Sequence, residues 1–494
     1  MKRASLAKNY IYNLSYQILI LIVPLITTPY VSRVLGLKNI GTFNFIQSVV
    51  SYFVLFGCIG LNLYGQREIA FYRDDLKKRS SVFFELVSIR VITIGIALTI
   101  YVIGVLNLVE RELQICYFLY GIEIFASLFD IGWYFQGIEC FRIQTMRNII
   151  VKVTGVLCIF LFVKDVNDLK LYILCYTATV FIGNIIMWFY LKGSIALVKP
   201  TKRDIVRHFI PAIAMFLPQI ATSIYSQLDK TMVGLFSNME QVGYYGQAEK
   251  IVKLVLTVVT AMGIVMLSRI AVSFAQKDNE AIKGYINKSF RFLFLLAWPC
   301  MIGVMVVAEG FVPWFMGDGY EKAIPCMILM SPIIMFIGVS NVIGTQYLLP
   351  TKQVKLYTIS VVVGTVVNAT LNAVLILKWP ENGCLGAAIA TDLAELAVMS
   401  VQLFLVRKTI SIKVFLYGIK NMIAAITMGV IVFSISHNID NLAFMPKKFE
   451  RSTLTFLEIF VGGVVYVLML VLLRDKFFFE MLNKILHRHQ TEDN

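Results

Sequence analysis

Long apolar runs leave this chain few ways to fold. Windows of about 20 apolar residues, the length a helix needs to cross the hydrocarbon core, fall near residues 11–32, 40–63, 81–106, 113–133, 147–163 and 169–191. Six more fall near 208–233, 242–266, 290–312, 323–347, 356–377 and 386–406, and a last pair near 418–436 and 453–473. Backbone inside lipid has no water to bond, so each window must satisfy its own N–H and C=O groups as a helix. The expected fold is all-α and integral to the membrane, with about 14 transmembrane helices. Composition agrees, since 58% of residues are apolar and 15% charged, against roughly 25% charged in soluble domains.

Lysine and arginine should crowd the cytoplasmic loops. Of the 45 basic residues, 30 lie on the N-terminus, every second loop and the C-terminus, and 10 on the opposite loops. Both termini are therefore expected in the cytoplasm. Lys447, Lys448 and Arg451 run against the pattern, between the last two windows. The net charge of +15 is scattered over many loops rather than gathered on one domain, which suits an anionic inner leaflet and not nucleic acid. The basic start and long first window, with Pro24 and no small-residue cleavage site, read as a retained first helix rather than a signal peptide.

The missing motifs exclude several classes. There is no G-x-x-x-x-G-K-[ST] loop for ATP and no H-E-x-x-H or G-x-S-x-G element for hydrolysis. The longest connections, near 192–207 and 267–289, are too short to hold a catalytic domain. An enzyme is not expected, and no cofactor or metal is implied. The eight cysteines lack C-x-x-C spacing and read as small hydrophobes in the spans. Of the four histidines only His487 and His489 stand close together, on a tail that makes a poor metal site.

The second half echoes the first. Ile40-Gly41-Thr42-Phe43 returns as Val242-Gly243-Tyr244-Tyr245, 202 residues later. Pro24, Thr28 and Ser32 match Pro218, Thr222 and Ser226 at an offset of 194, and Gln136, Arg142 and Val151 match Gln346, Lys352 and Val361 at 210. Ordered echoes of this kind mark a duplication. Six helices per copy is an even number, so the second copy enters the membrane from the same side, as in parallel-repeat transporters. The expected units are a six-helix lobe over 1–197, a second over 198–410, and two added helices with a cytoplasmic tail over 411–494.

The repeated helices carry polar stripes at i, i+3, i+4, i+7. Asn44, Gln47, Ser48 and Ser51 form one, and Gly246, Glu249, Lys250 and Lys253 stand at the same offset in the second copy. Helix 7 adds Gln219, Thr222, Ser223, Ser226 and Lys230. These stripes make helices 1, 2, 7 and 8 the candidate walls of a cavity between the lobes. Hydroxyls and amides also bridge helices inside bundles. Lysines at mid-membrane cost a few kcal/mol and point to function, although Glu249 and Lys253 are spaced for an i, i+4 ion pair. Asp392 and Glu395 share a face of helix 12 and suit either a proton or cation, or the neutralisation of Lys230 or Lys250. Arg90, facing Glu85 or Glu123, and Lys152 are further candidates, and Arg33 ends helix 1 as either a site residue or an interface anchor.

The stretch Asp130-Ile131-Gly132-Trp133-Tyr134-Phe135-Gln136-Gly137-Ile138-Glu139 resembles the bacterial polysaccharide repeat-unit flippases, the Wzx-type branch of the multidrug/oligosaccharidyl-lipid/polysaccharide exporter (MOP) superfamily. The segments Pro29–Gly36, Gln346–Pro350 and Gly383–Thr391 fit the same family. The resemblance spans nearly the whole chain. It implies movement of undecaprenyl-pyrophosphate-linked oligosaccharide, for O-antigen, capsule or a related surface polymer, from the inner to the outer leaflet of the bacterial cytoplasmic membrane. It also implies a cationic cavity, for which Lys230, Lys250 and Lys253 are the leading candidates, with Arg90, Arg33, Asn44, Gln47 and Gln219 beside them. Asp392 and Glu395 are the candidates for coupling a proton or sodium ion. Membrane lipids and polysaccharide polymerase machinery are the other implied partners. Outward movement of the pyrophosphate charge is favoured by roughly 2.3 kcal/mol per charge per 100 mV, so ion antiport is not required. The rival reading is a multidrug or organic-cation antiporter of the same superfamily.

Overall fold

The computed structural model describes residues 6–438 and 447–483; His487 and His489 lie outside them. All regular elements among the described residues are helical. Numbering the α-helices of six residues or more, α1 runs Leu6–Cys58, α2 Leu61–Phe71, α3 Leu76–Ile100, α4 Arg111–Leu128, α5 Gly132–Gly137, α6 Phe141–Phe162, α7 Leu169–Phe189, α8 Lys202–Arg207 and α9 Phe209–Phe236. Then follow α10 Met239–Thr260, α11 Gly263–Ala275, α12 Asn279–Met316, α13 Ala323–Met330, α14 Ile333–Ser340, α15 Val354–Lys378, α16 Gly383–Val406, α17 Ile419–Asn438 and α18 Lys447–Leu472.

Eleven helical stretches among the described residues are long and apolar enough to cross a membrane, or twelve if Met239–Thr260 and Val265–Ala275 form one bent span. The windows pointed to about 14. The difference has a physical source at α1, whose 53 residues hold the first two windows on either side of a break at Gly36 (φ 72°, ψ 170°). The helix over the seventh window, α9, is not among the eleven.

The break at Gly36 has a counterpart 202 residues on. There Asn238 caps α10, its side chain accepting from the Gln241 N–H at 3.0 Å. A positive-φ glycine in one copy and a polar N-cap in the other both interrupt the backbone ladder between successive spans. A second recurrence is sharper. After α5, Cys140 N–H donates to the Phe135 carbonyl at 2.8 Å, and Glu139 takes φ 58°. After the π-helical stretch Asn341–Leu348 that continues α14, Gln353 N–H donates to the Leu348 carbonyl at 2.8 Å, and Lys352 takes φ 62°. These matched helix ends stand 213 residues apart, three more than the sequence echo at this point, so the Arg142–Lys352 match is out of structural register. Lys277 (φ 60°) and Arg474 (φ 49°) close two further helix ends the same way.

The chain forms two compact units, residues 1–234 and 235–494. The first unit is held by an aromatic wedge built from the motif after α4. Trp133 stacks on Phe83 with centroids 5.6 Å apart, and Tyr134 meets Phe83 edge-on at 5.2 Å. Gly65 lets the indole approach, since a Cβ there would stand 2.6 Å from the Trp133 ring. The Tyr134 hydroxyl reaches the Ser194 carbonyl at 2.8 Å, and the Trp188 indole N–H donates to the Phe129 carbonyl at 2.9 Å. Trp133, Tyr134 and Phe135 are all buried, so this segment is a packing element.

In the second unit the long α12 starts at Asp278, whose side chain accepts from the Ala281 N–H at 2.9 Å, and ends at Gly317 (φ 99°). Buried polar groups stitch its helices. Gln402 donates to Ser360 at 3.0 Å between α16 and α15, and the Tyr466 hydroxyl of α18 donates to the Leu295 carbonyl of α12 at 2.8 Å. Where hydrophobic burial discriminates little between helix and lipid, such bonds and close packing hold a bundle together.

Candidate translocation cavity

The first unit holds a partly open cavity of about 460 Å³ between the second half of α1 and α9. Its described lining includes Ser51, Tyr52, Cys58 and Asn62 on one side and Gln219, Thr222, Ser223, Ser226 and Gln227 on the other. Four of the five stripe residues predicted on helix 7 are among them, as is Ser51 from the stripe on helix 2. No lysine, arginine, aspartate or glutamate is among the described lining residues.

Beyond the cavity the two walls close on each other. Thr231 Oγ1 stands 3.0 Å from Ser48 Oγ and 3.2 Å from the Tyr52 hydroxyl. Gly234 lets α9 rest on Phe45, because a Cβ there would lie 2.2 Å from the ring. At the other end Gly60 (φ 74°) takes the chain past α9, where a Cβ would stand 2.8 Å from the Ala212 carbonyl oxygen.

The entry to α9 is clamped by a polar chain. The capping box of α8 sets the approach: Thr201 Oγ1 accepts from the Asp204 N–H at 3.3 Å, and the same hydroxyl is the main cause holding the Asp204 carboxyl below its usual range. His208 follows, 4% exposed, with the Tyr64 hydroxyl 2.7 Å from Nδ1 and Glu85 Oε2 2.5 Å from Nε2. Arg207 also donates to Glu85 Oε2 at 2.7 Å, and Ser81 to Oε1 at 2.6 Å. The Glu85 side chain is fully buried, so all its neighbours act as its solvation.

Arg90 lies behind the cavity wall. It is 1% exposed and donates to the Asp130 carbonyl and to Asn62 Oδ1, with Cys58 Sγ at 3.7 Å. These hydrogen-bond partners are uncharged groups rather than the carboxylates of Glu85 or Glu123. By holding the Asn62 oxygen, it leaves the Asn62 NH₂ as the group that can be offered to the cavity.

The remaining predicted residues are not among the described lining residues. Asn44 is buried, and Gln47 donates to the Tyr176 hydroxyl at 3.4 Å, beside the Phe43–Tyr172–Tyr176 ring cluster. Arg33 is exposed and donates to the Pro29 carbonyl at 3.4 Å within its own helix. Lys230 is half-buried, one helical turn beyond Ser226. In the second unit Lys250 and Lys253 are exposed on one face of α10, and Lys253 Nζ meets Glu249 at 2.5 Å, the predicted i, i+4 pair.

Two bonds fix α10 beside α16. Cys384 N–H donates to Gln241 Oε1 at 3.1 Å, and the Tyr245 hydroxyl lies 3.1 Å from Thr391 Oγ1. One turn further on, this register brings the level of Glu249 to that of Asp392 and Glu395. Glu395 is 7% exposed, while Asp392 keeps one buried carboxylate oxygen without a hydrogen-bond partner among the described residues.

Tyr52, Asn62 and Gln227 are cavity residues that stripe reasoning missed. Tyr52 and Gln227 each adjoin a stripe position, Ser51 and Ser226, but fall outside the template. Asn62 lies past the positive-φ turn at Ile59 and Gly60, where helical spacing no longer applies.

A family model described as polysaccharide biosynthesis protein matches residues 6–270, more than half of the chain. A second model, MatE, matches residues 214–374. The chain is 25% identical over 411 residues to a protein of Escherichia coli K12 named "Putative O-antigen transporter", covering 82% of this chain and 97% of that protein. It is also 25% identical over 247 residues to the "Probable low-salt glycan biosynthesis flippase Agl15" of Haloferax volcanii, covering 50% of this chain and 51% of that one. Among solved structures, the lipid II flippase MurJ in an inward closed conformation aligns with a TM-score of 0.73 at 19% identity, covering 95% of this chain and 99% of that one. The chain therefore belongs to the polysaccharide biosynthesis protein family, and it shares the fold of the MurJ structure.

Proposed function

We propose that the protein flips undecaprenyl-pyrophosphate-linked oligosaccharide repeat units from the inner to the outer leaflet of the bacterial cytoplasmic membrane, by alternating access, for export of a surface polysaccharide. The observation that carries this reading is a polar cavity of about 460 Å³ walled by two helices of a family associated with polysaccharide synthesis. A sugar needs such a cavity to cross hydrocarbon, and the polyprenyl tail does not. Both termini lie in the cytoplasm, and the working lobes are 1–197 and 198–410, with 411–494 as an added helix pair. The pyrophosphate is held by Lys250 and Lys230, with Lys253 tuned by its bond to Glu249. Arg33, Asn44 and Gln47 lie along the path of the substrate, and Gln219 contacts it inside the cavity. Arg90 acts through Asn62. Asp392 and Glu395 offer a site for a coupling proton or sodium ion, and a polymerase receives the product.

The test is transbilayer movement of an undecaprenyl-pyrophosphate-linked oligosaccharide in liposomes holding the purified protein. Movement is expected above that of empty liposomes, with Lys250→Ala slowing it about tenfold, the size of one lost charge-assisted contact. Undiminished movement in the variant removes Lys250 from the site, and no movement in the wild type removes the flippase reading. The MatE match over 214–374 favours one alternative, organic-cation antiport, in which a hydrophobic cation rather than the lipid drives release of a proton from Asp392.

A further inference from the structure

Two of the eight cysteines, Cys326 and Cys384, meet in the second unit although 58 positions separate them in sequence. The structure holds both as thiols. We infer that they form a disulfide in the mature protein, joining the first turn of α13 to the first turn of α16. This inference rests on the orientation proposed above, with both termini in the cytoplasm.

Three observations carry it. First, the sulfurs are neighbours. Cys326 Sγ stands 3.6 Å from the Cys384 carbonyl oxygen and beside the Cys384 thiol, with Met330 Sδ at 3.9 Å on its own helix. Both side chains are fully buried, so neither sulfur turns away to water. Second, the backbone that carries them is held. Lys322, the residue before α13, donates to the Glu381 carbonyl at 3.0 Å and to Asn382 Oδ1 at 3.3 Å, which ties the approach to one helix to the approach to the other. Cys384 N–H donates to Gln241 Oε1 at 3.1 Å, and a Cβ on Gly383 would stand 2.8 Å from Ser237, so the start of α16 has little slack. A bridge needs two backbones that are close and point their side chains at each other, and these ties hold the pair in that relation. Third, the pair falls on the side of the membrane where the bond persists. Spans alternate in direction, so the connections 317–322 and 379–382 lie opposite the termini, away from the reducing cytoplasm.

The bond forms by thiol–disulfide exchange, with a disulfide-bearing oxidoreductase outside the cytoplasm as oxidant. One protein thiolate attacks the oxidant's disulfide, making a mixed disulfide and expelling one of the oxidant's thiols. The second protein thiolate attacks the mixed disulfide, making the Cys326–Cys384 bond and expelling the other. Two electrons and the two thiol protons pass to the oxidant, which leaves as a dithiol. Because the folded sulfurs have no surface, the exchange takes place as the chain folds, before α16 docks on α13. The finished bond encloses α14 and α15 in one loop, and a long loop is where a cross-link most restricts the unfolded chain.

The test counts thiols in the full-length protein, made in a bacterium with an oxidising cell envelope, alkylated at lysis and unfolded in denaturant. Eight cysteines less the bonded two should leave six that react before reduction, and all eight after it. Peptide mapping should find Cys326 linked to Cys384. Cys326→Ala and Cys384→Ala should each leave every remaining thiol reactive without reduction. Eight reactive thiols in unreduced wild type overturn the inference, as does a bond that maps to Cys158 and Cys175, which are also neighbours. Glu381→Cys, on the exposed connection before Cys384, reports the orientation separately: a membrane-impermeant maleimide added to intact cells should label it above wild type, and no added label overturns the orientation. The thiol count decides the disulfide and the label decides the orientation, so the two fail separately.

Discussion

Glu85→Ala is expected to lower the stability of the protein by about 3–5 kcal/mol, the usual cost of removing one partner from a buried charged cluster. The carboxylate has no exposed surface, and it is the common acceptor for Arg207, His208 and Ser81. Removing it strands the buried imidazole at the entry to α9. Arg207 is 55% exposed and can turn to water, so its share of the loss is small. The neutral isostere Glu85→Gln keeps two acceptor sites on one oxygen and should lose about half as much. Thermal unfolding in detergent, followed by tryptophan fluorescence, measures both. A midpoint for Glu85→Ala within one or two degrees of wild type would mean that the clamp on α9 does not hold the fold.

Arg90→Ala should cost a comparable amount, about 3–5 kcal/mol, by a different route. Here no carboxylate is lost. The deletion leaves the Asp130 carbonyl without its donor, releases the exposed Asn62 amide, and opens a void where one of the largest fully buried side chains stood. Arg90→Lys should recover only part of the loss, since an ammonium cannot fork to two acceptors as a guanidinium does. The two variants also separate stability from transport. Freed from Arg90, the Asn62 amide can turn its oxygen into the cavity, so any Arg90→Lys protein that remains folded should move lipid-linked sugar more slowly than wild type. Wild-type rates in a folded Arg90→Lys protein would show that Asn62 needs no positioning.

The sequence was most informative where the membrane itself imposes the rule. Apolar windows locate helices because lipid permits a lone segment no other structure, and each window lies on a helix. The i, i+4 spacing also announced the Glu249–Lys253 pair, and the stripes announced Ser51, Gln219, Thr222, Ser223 and Ser226, because both are local. Contacts between distant segments were not legible. Arg90 was expected beside an acid, yet its partners are a carbonyl 40 residues away and an amide 28 residues away, and nothing in local spacing encodes either. His208 drew no attention as a lone histidine, although it completes the clamp on α9. At the echo of 210 the two helix ends match in backbone geometry at 213 instead, because the turn that closes them is set by backbone hydrogen bonds and not by residue type.

The helix ends closed by Glu139, Lys277, Lys352 and Arg474 share one more property. All four adopt positive φ, a conformation that suits glycine, and each follows an even-numbered apolar window. Three of the four are basic. Insertion machinery counts positive charge at such ends to decide which way a helix pair faces, whereas the folded backbone would gain from having no side chain there. The chain thus carries address labels at sites where its own conformational energy argues for erasing them. Lys277→Gly, Lys352→Gly and Arg474→Gly should each make the finished protein harder to melt, by about 0.5–1 kcal/mol, and together make it harder to insert the right way round. Heat resistance of the purified triple variant, set against its yield in correctly oriented form, measures how far biogenesis rather than the native state has chosen these residues.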